Sequence, residues 1–318
     1  AVVAILSESE MVNVDRVVLS GARAFIQYPY RSNNLVVTIR RVLELLERNQ
    51  SNPARTAEQS TSTEENEAKL VKTYTVFSPK GGAGTTTIAT NLAISLHETL
   101  KEDVLLVDGK HLFGHVALYL NLRTGNSITD LIAHAGNLDE RLIKQVVVKH
   151  TSGIHVLPSP NNIGDAQGIR PDNLFPVIQN VQQVFSNIVI DGGNSINENA
   201  VTYMDSSDRI LMPLNPDLAS MRDARMFMDI TSTLSYPKEK ILLLLNLTGR
   251  KGNVKSQEIE NILNMEIFGD IPSDENLALS SVNEGVPIVL KKPRHRISKS
   301  FSKIAKDLVK NTRAAESG

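Results

Sequence analysis

The sequence predicts an α/β protein built on a mostly parallel sheet with helices on its faces. From Thr73 onward, short apolar runs alternate with segments of helical periodicity. The runs are YTVFS, VLLVD, IHVLP, NIVID, RILMP, ILLLLN and EIFGDIP. Strands separated by helices form βαβ units, in which the strands are parallel. The 41% of hydrophobic and 22% of charged residues give enough material for an ordinary globular core.

Composition and charge exclude several classes of protein. Lys and Arg (34 together) nearly balance Asp and Glu (35), so the formal charge of −1 lacks the basic excess of proteins that coat nucleic acid. Cys is absent, which excludes disulfides, thiolate metal sites and iron–sulfur clusters. No apolar run reaches the roughly 18 residues that span a bilayer, and no signal peptide is recognisable. We therefore expect a cytoplasmic protein that does not bind nucleic acid.

The first 48 residues predict a strand, a helix, a strand and a helix. VVAIL and ARAFIQY are the strand-like runs, and helical spacing marks Met11 to Ser20 and Asn34 to Glu47. The chain begins without Met and in mid-fold, so we expect a piece upstream. Residues 49–70 are polar with almost no apolar anchor, which predicts a flexible linker.

A glycine-rich loop follows the strand YTVFS. It reads Pro79-Lys80-Gly81-Gly82-Ala83-Gly84-Thr85-Thr86-Thr87, and it leads into a helix with Ile88, Leu92, Leu96 and Leu100 at helical spacing. Glycines let backbone N–H groups close around phosphate oxygens, and the helix N-terminus adds the positive end of its dipole. The Thr86 hydroxyl stands where a P-loop places its Mg²⁺ ligand. The loop predicts an ATP or ADP site over residues 80–87; the alternative is a turn that binds nothing.

Two carboxylates end predicted strands. Asp108 follows VLLV and Asp191 follows NIVI. Together with the loop they resemble the metal-binding positions of P-loop ATPases, and that resemblance implies that Thr86, Asp108 and Asp191 form a Mg²⁺ site; the alternative for each acid is a structural strand-end turn. His111 and His115 are not expected to bind metal, because Gly114 intervenes and no third ligand is near.

The loop resembles that of the deviant Walker A family, ParA, MinD and their relatives, which carry KGG-x-G-K-[ST]. Lys80 matches the signature lysine, which in the family reaches across a sandwich dimer to the partner's nucleotide. Thr85 replaces the usual phosphate lysine. Losing one charge-assisted phosphate contact costs roughly 1.5–3 kcal/mol, or about ten- to a hundredfold in affinity. The resemblance implies a homodimer and ATP binding that is weakened but retained.

The segment after Asp108 resembles the family's switch I, whose pattern is D-x-D followed in one branch by F-G-D. Asp108 keeps the first carboxylate, but Lys110 replaces the second and His115 replaces the aspartate of F-G-D. In the family the second aspartate helps to position the attacking water. The resemblance gives Asp108 and Lys80 catalytic roles, and the departure at Lys110 predicts an ATP hydrolase of low activity at best.

Two further positions match the family's adenine site. Asn246 ends ILLLLN where the family has an asparagine that reads adenine, and Pro272 in DIPSD falls where a loop cups the ring. The resemblance therefore implies a P-loop NTPase domain over residues 71–312.

One branch of the family matches more closely. NPDLASMRDARMF resembles the T-P-D-L-A-S-L-R-x-A-R segment of CpaE and TadZ, which localise Tad/Flp-type pili. That branch tolerates loss of the P-loop lysine and carries an N-terminal receiver-like (flavodoxin-like) domain. Residues 1–48 resemble the second half of a receiver, with Ser7 ending its fourth strand. Tyr28 replaces the lysine of working receivers, so phosphorylation control is not expected.

The branch resemblance implies a dimeric scaffold for pilus assembly, with the pilus machinery or a polar landmark protein as partner and the cell pole as location. The alternative is an active ParA/MinD-type ATPase that positions DNA, the division site or flagella. The basic tail from Lys291 to Lys310 carries an apolar stripe of Ile297, Phe301, Ile304 and Leu308. This pattern fits either a helix on the inner face of the membrane or the last helix covering the sheet.

Overall fold

The N-terminal region contains a pair of parallel strands. The computed structural model describes residues 2–7, 17, 21–27, 39 and 72–314. β1 (Val2–Leu6) pairs in parallel with β2 (Ala22–Gln27), which confirms both predicted strands. Residues 17 and 39 are helical. The rest of the two predicted helices, Tyr28 and the predicted linker lie outside the described residues.

Residues 72–314 alternate strands and helices throughout. The strands are β3 (Lys72–Phe77), β4 (Val104–Asp108), β5 (Val148–Lys149), β6 (His155–Leu157), β7 (Asn187–Gly193), β8 (Arg209–Leu214), β9 (Ile241–Thr248) and β10 (Ile267–Pro272). The helices are α1 (Thr85–Leu100), α2 (Val116–Tyr119), α3 (Ile128–Ile132), α4 (Glu140–Val146), α5 (Ile163–Gln167), α6 (Pro171–Val184), α7 (Glu198–Asp205), α8 (Leu218–Thr233), α9 (Ser256–Leu263), α10 (Glu275–Glu284), α11 (Ile288–Lys291) and α12 (Arg296–Ala314).

These eight strands form one sheet in the order β10-β9-β8-β3-β7-β4-β6-β5. Every neighbouring pair is parallel except β5 with β6. All seven strands predicted for this region are confirmed. The eighth, β5, has two residues, too few for a periodic signal.

Side chains of the central strands alternate between two apolar layers. On β4, Leu106 packs into the layer under α1 and α12, whereas its neighbours Leu105 and Val107 pack into the opposite layer with α6. A strand buried on both faces is the expected result of βαβ crossovers that place helices on both sides. The fold thus confirms the predicted α/β class.

The apolar stripe of the basic tail belongs to the core. Ile297, Phe301, Ile304 and Leu308 on α12 are each at most 3% exposed and pack in the same layer as α1. The alternative of a last helix that covers the sheet is therefore correct, and the stripe is not available to lie on a membrane. No helix in the described part of the chain is long and apolar enough to cross a bilayer.

Candidate functional site

The predicted site residues meet at the carboxyl edge of the sheet. β3 lies between β7 and β8, and β7 lies between β3 and β4. The glycine-rich loop leaves β3, Asp108 ends β4, and Asp191 lies near the end of β7. In open α/β sheets ligands bind at this edge, where neighbouring crossovers diverge.

The loop has the backbone geometry of a phosphate cradle. Gly82 and Gly84 adopt left-handed φ values of 79° and 89°, which an L side chain would oppose. α1 begins at Thr85, its N-cap is Gly84, and its first turn holds no acidic residue. Because Gly84 has no side chain, it leaves the first N–H groups of α1 without a side-chain cap at the end where the helix dipole favours an anion.

Asn246 is hydrogen-bonded to the backbone of this loop. Its Nδ2 donates to the carbonyl oxygen of Ala83 at 2.9 Å, and its Oδ1 accepts from the backbone N–H of Leu247 at 2.9 Å. A Cβ on Gly84 would lie 2.6 Å from the same Nδ2. Asn246 therefore holds the loop in shape. Adenine reading by Asn246 stays a prediction, as does the role of Pro272 at the end of β10.

The two carboxylates are buried among hydrogen-bond donors. Asp191 accepts from the Thr86 hydroxyl at 2.5 Å and from the Gly193 N–H at 3.2 Å. Asp108 accepts from the N–H groups of Val116 at 3.0 Å and Lys110 at 3.2 Å, and from Ser159 Oγ at 3.3 Å.

Burial governs the protonation of both acids. Burial, followed by the charge of Asp191, raises the pKa of Asp108 to about 7. Burial also raises the pKa of Asp191, although the Thr86 hydrogen bond and the charge of Lys110 oppose it. The energetic reason is that a buried carboxylate loses its hydration.

Lys110 extends from the switch segment toward the phosphate loop. Its Nζ lies 3.4 Å from Thr86 Oγ1. The Thr86 hydroxyl and the Asp191 carboxylate are oxygen ligands of the kind that Mg²⁺ prefers at about 2.1 Å. An ion so bound to Thr86 would be at most about 5.5 Å from the ammonium, where like charges repel. The ammonium of Lys110 thus competes with a magnesium ion for the Thr86 hydroxyl, and the predicted ligand set of Thr86, Asp108 and Asp191 remains a prediction.

Lys80 forms an ion pair within its own chain. Its Nζ lies 2.8 and 2.9 Å from the two carboxylate oxygens of Asp217, the N-cap of α8. Partial burial acts to raise the pKa of Asp217, but the hydrogen bonds from Lys80 and Ser220 outweigh it and leave the pKa below 3.8. The side chains are 28% and 45% exposed, so the pair contributes at most about 1 kcal/mol and opens readily.

Comparison with known proteins identifies the family. A family model described as an AAA domain (AAA_31) matches residues 71–243, more than half of the chain. The chain belongs to this family. It is 27% identical over 238 residues to the septum site-determining protein MinD of Thermotoga maritima, a match that covers 73% of this chain and 85% of that protein.

Solved structures show the same fold. A ParA family ATPase from Chlorobium tepidum superposes with a TM-score of 0.71 at 25% identity, over 76% of this chain and 100% of that one. MinD from Pyrococcus horikoshii, solved in complex with Mg-ADP, gives 0.67 at 23% identity, over 77% of this chain and 99% of that one. The chain therefore has the α/β P-loop NTPase fold of these ParA and MinD structures.

Three residues that contact the predicted site residues could not be identified from the sequence. Asp217 was part of the segment matched to the pilus branch, but no pattern links it to Lys80. Ser159 follows β6 without any motif. Tyr203 lies on α7, buried among apolar residues that resemble ordinary core. These three residues reach the site through contacts between elements that are distant in the sequence.

His111 is a buried residue whose two ring nitrogens both lie within hydrogen-bond distance of α7. Its Nε2 lies 2.7 Å from the Tyr203 hydroxyl, and its Nδ1 accepts from Asn199 Nδ2 at 3.3 Å. No group of three His, Cys, Asp or Glu side chains within the described ranges could hold a metal ion. His111 therefore fixes the switch segment to α7.

We expect His111 to make stability depend on pH. Burial lowers the pKa of His111 from 6.5 to about 4. The folded form thus prefers neutral His111, and its stabilisation is complete above pH 6.5 and is lost as the pH falls toward 4. Relative to His111→Gln, the natural protein should lose about 3 kcal/mol of unfolding free energy between pH 7 and pH 4.

Urea unfolding of both proteins at the two pH values measures this difference. Asp108 titrates in the opposite sense, since its folded pKa is raised, but it is present in both proteins and largely cancels in the comparison. Parallel pH profiles for the two proteins would contradict the assignment of His111.

Proposed function

We propose that this protein is an ATP-binding, dimer-forming scaffold for Tad/Flp-type pilus assembly, with weak or absent hydrolysis. One observation carries the proposal. The glycine-rich loop has left-handed glycines at 82 and 84, whereas Thr85 and Lys110 stand at the positions that the resemblance assigns to the phosphate lysine and to the acid that positions water. A site that keeps binding geometry and loses catalytic groups suits occupancy sensing better than turnover.

The proposed hydrolytic defect follows from the chemistry of Lys110. In phosphoryl transfer the protein positions the attacking water and neutralises charge on the phosphoryl group. An ammonium near the Thr86 hydroxyl supplies positive charge but accepts no proton from water. Such a site supports binding of a polyphosphate and gives the attacking water no base.

The proposed dimer uses the carboxyl edge of the sheet. Leu112 and Phe113, which follow β4, are 47% and 76% exposed, and Leu218, which follows β8, is 76% exposed. Carboxyl ends of parallel strands lie at one edge, so these apolar side chains lie on the same side of the molecule as the phosphate loop. Exposed apolar groups of this size are typical of contact surfaces. A second copy placed there would bring each Lys80 toward the other copy's nucleotide.

The pilus assignment depends on the resemblance of residues 215–227 to the CpaE and TadZ branch. Asp217 and Ser220 of this segment start α8, and Lys80 pairs with Asp217. The segment that marks the branch thus contacts the signature lysine, which supports a role in sensing nucleotide. The parallel strands β1 and β2 are compatible with the proposed receiver-like domain. A polar location and contact with pilus machinery belong to this proposal.

Two variants test the proposed dimer. Lys80→Ala should weaken ATP-dependent dimerisation by about tenfold or more and change ATP affinity of the monomer by less than about threefold, because the lost charge acts across the interface. Asp217→Asn keeps an N-cap for α8 but releases Lys80, so the dimer should tighten, by up to about fivefold.

Analytical ultracentrifugation with ATP, with ADP and without nucleotide measures these effects. Equal losses of monomer ATP affinity and of dimerisation in Lys80→Ala would show that Lys80 acts on its own nucleotide. For the biological role, the host lacking this protein should lose pili, and the Lys80→Ala protein should fail to restore them.

The second candidate is an active positioning ATPase of the ParA/MinD type. It is favoured by the similarity to MinD proteins over most of the chain. It predicts steady phosphate release and, for a partition protein, DNA binding that weakens steeply with salt. A phosphate-release assay separates the two candidates, and gel-shift titrations at two salt concentrations identify a partition protein among the active ones.

A further inference from the structure

Lys110 sits where its charge faces both the phosphate loop and the buried acids. Its backbone N–H binds Asp108 Oδ1 at 3.2 Å, and its Nζ reaches Thr86 Oγ1 at 3.4 Å. The side chain therefore spans from the end of β4 to the first turn of α1. A lysine here joins the switch segment to the helix that carries the phosphate loop.

The Thr86 hydroxyl is oriented as it would be toward a cation. Its proton is donated to Asp191 Oδ2 at 2.5 Å, so its lone pairs are left to face the ammonium of Lys110. Asp108 and Asp191 are at most 1% exposed. Buried carboxylates require a nearby positive charge or protonation, and Lys110 supplies a charge within this group of residues.

The backbone makes room for this lysine at one position. Gly193, at the end of β7, has a φ of 68°, and a Cβ on it would lie 2.7 Å from Cγ and 3.1 Å from Cδ of Lys110. Any other residue at 193 would displace the aliphatic stem. The glycine at position 193 thus accommodates the stem of Lys110.

A cleft opens on the other side of this lysine. It has a volume of about 520 Å³ and is lined by Lys110, Gly193, Asn194 and neighbouring residues. The cleft gives solvent access to Lys110, and none of residues 80–87 of the phosphate loop lines it. The phosphate loop itself has no lysine at position 85 to compete for the same anion.

We propose that Lys110 replaces both the magnesium ion and the missing phosphate lysine, so that this site binds ATP without requiring a divalent metal. The inference rests on the proposed ATP binding and specifies its chemistry. An ammonium beside Thr86 neutralises a β- or γ-phosphate oxygen as the metal does in other P-loop sites, with hydrogen bonding in place of coordination. The same charge disfavours Mg²⁺ at that position.

Calorimetric titration of the full chain with ATP, in excess EDTA and in excess MgCl₂, tests the inference. We expect the two dissociation constants of the natural protein to agree within about threefold. Lys110→Met keeps the stem over Gly193 and removes the charge, so ATP affinity in EDTA should fall at least tenfold, and added Mg²⁺ should recover part of it. Lys110→Arg should remain independent of metal.

Lys144→Met is the matched control, since it removes the same charge from an exposed pair with Glu140; it should bind like the natural protein. Thermal melts establish that each variant is folded. ATP binding by the natural protein that weakens more than about thirtyfold in EDTA would overturn this inference and leave the proposed ATP binding intact. Absence of binding under both conditions would overturn both.

Discussion

Thr85→Lys is expected to tighten ATP binding about ten- to a hundredfold without giving fast hydrolysis. Thr85 is the first residue of α1 and is 9% exposed, so a lysine there would have to extend along the loop toward the phosphates. One charge-assisted hydrogen bond to phosphate contributes roughly 1.5–3 kcal/mol. Hydrolysis should stay slow because Lys110 still occupies the position of the second switch acid. Calorimetry and a phosphate-release assay measure the two quantities separately.

The double variant Thr85→Lys with Lys110→Asp restores both family residues. We expect it to regain Mg²⁺ dependence and to hydrolyse ATP at least about a hundredfold faster than the natural protein, since removal of one group that acts in the transition state typically costs this much. Rapid turnover in Thr85→Lys alone would contradict the role given to Lys110. A double variant that binds Mg-ATP tightly and stays inert would place the defect elsewhere.

Gly84→Ala is expected to abolish ATP binding. Position 84 has a φ of 89°, and the added Cβ would lie 2.6 Å from Asn246 Nδ2. The substitution would therefore strain the backbone and break the bond from Asn246 to Ala83 that shapes the loop. We expect a loss of at least about a hundredfold in ATP affinity and a loss of roughly 2–4 kcal/mol in unfolding free energy.

Gly125→Ala is the control for this substitution. A Cβ at position 125 meets no atom within 4 Å, and its φ lies outside the left-handed region. It should bind ATP normally and unfold with nearly unchanged free energy. Normal ATP binding by a folded Gly84→Ala protein would mean that the glycine-rich loop is not the nucleotide site.

The strands could be predicted because each is a run of β-branched and aliphatic residues bounded by polar ones. Helical crossovers then required a parallel sheet, and the glycines of the loop indicated the phosphate site. β5 escaped prediction because two residues carry no period. The tail could not be assigned to core or membrane, since amphipathic spacing is the same in both; the burial of Phe301 against the α1 layer decides it.

The site was predictable as a set of positions and not as a set of contacts. Asp108 and Asp191 were expected from their places at strand ends. The pairing of Lys80 with Asp217 joins residues 137 positions apart, and the contact of Lys110 with Thr86 joins residues 24 apart. Such pairs form only when distant strands and helices pack together, and a local sequence pattern does not predict that packing. The need for glycine at position 193 is explained by the stem of Lys110, which a Cβ there would contact at 2.7 Å.

The most direct test of the account is to titrate the protein with ATP in a calorimeter and then count the phosphate released from the same sample. We predict saturable binding with a turnover below about 10⁻³ s⁻¹, roughly three orders of magnitude under the low end of ordinary enzymes. Saturable binding followed by steady release at about 1 s⁻¹ or faster would contradict the scaffold and favour an active positioning ATPase. No binding up to millimolar ATP would contradict nucleotide occupancy altogether, and the glycine-rich loop would then be architecture alone.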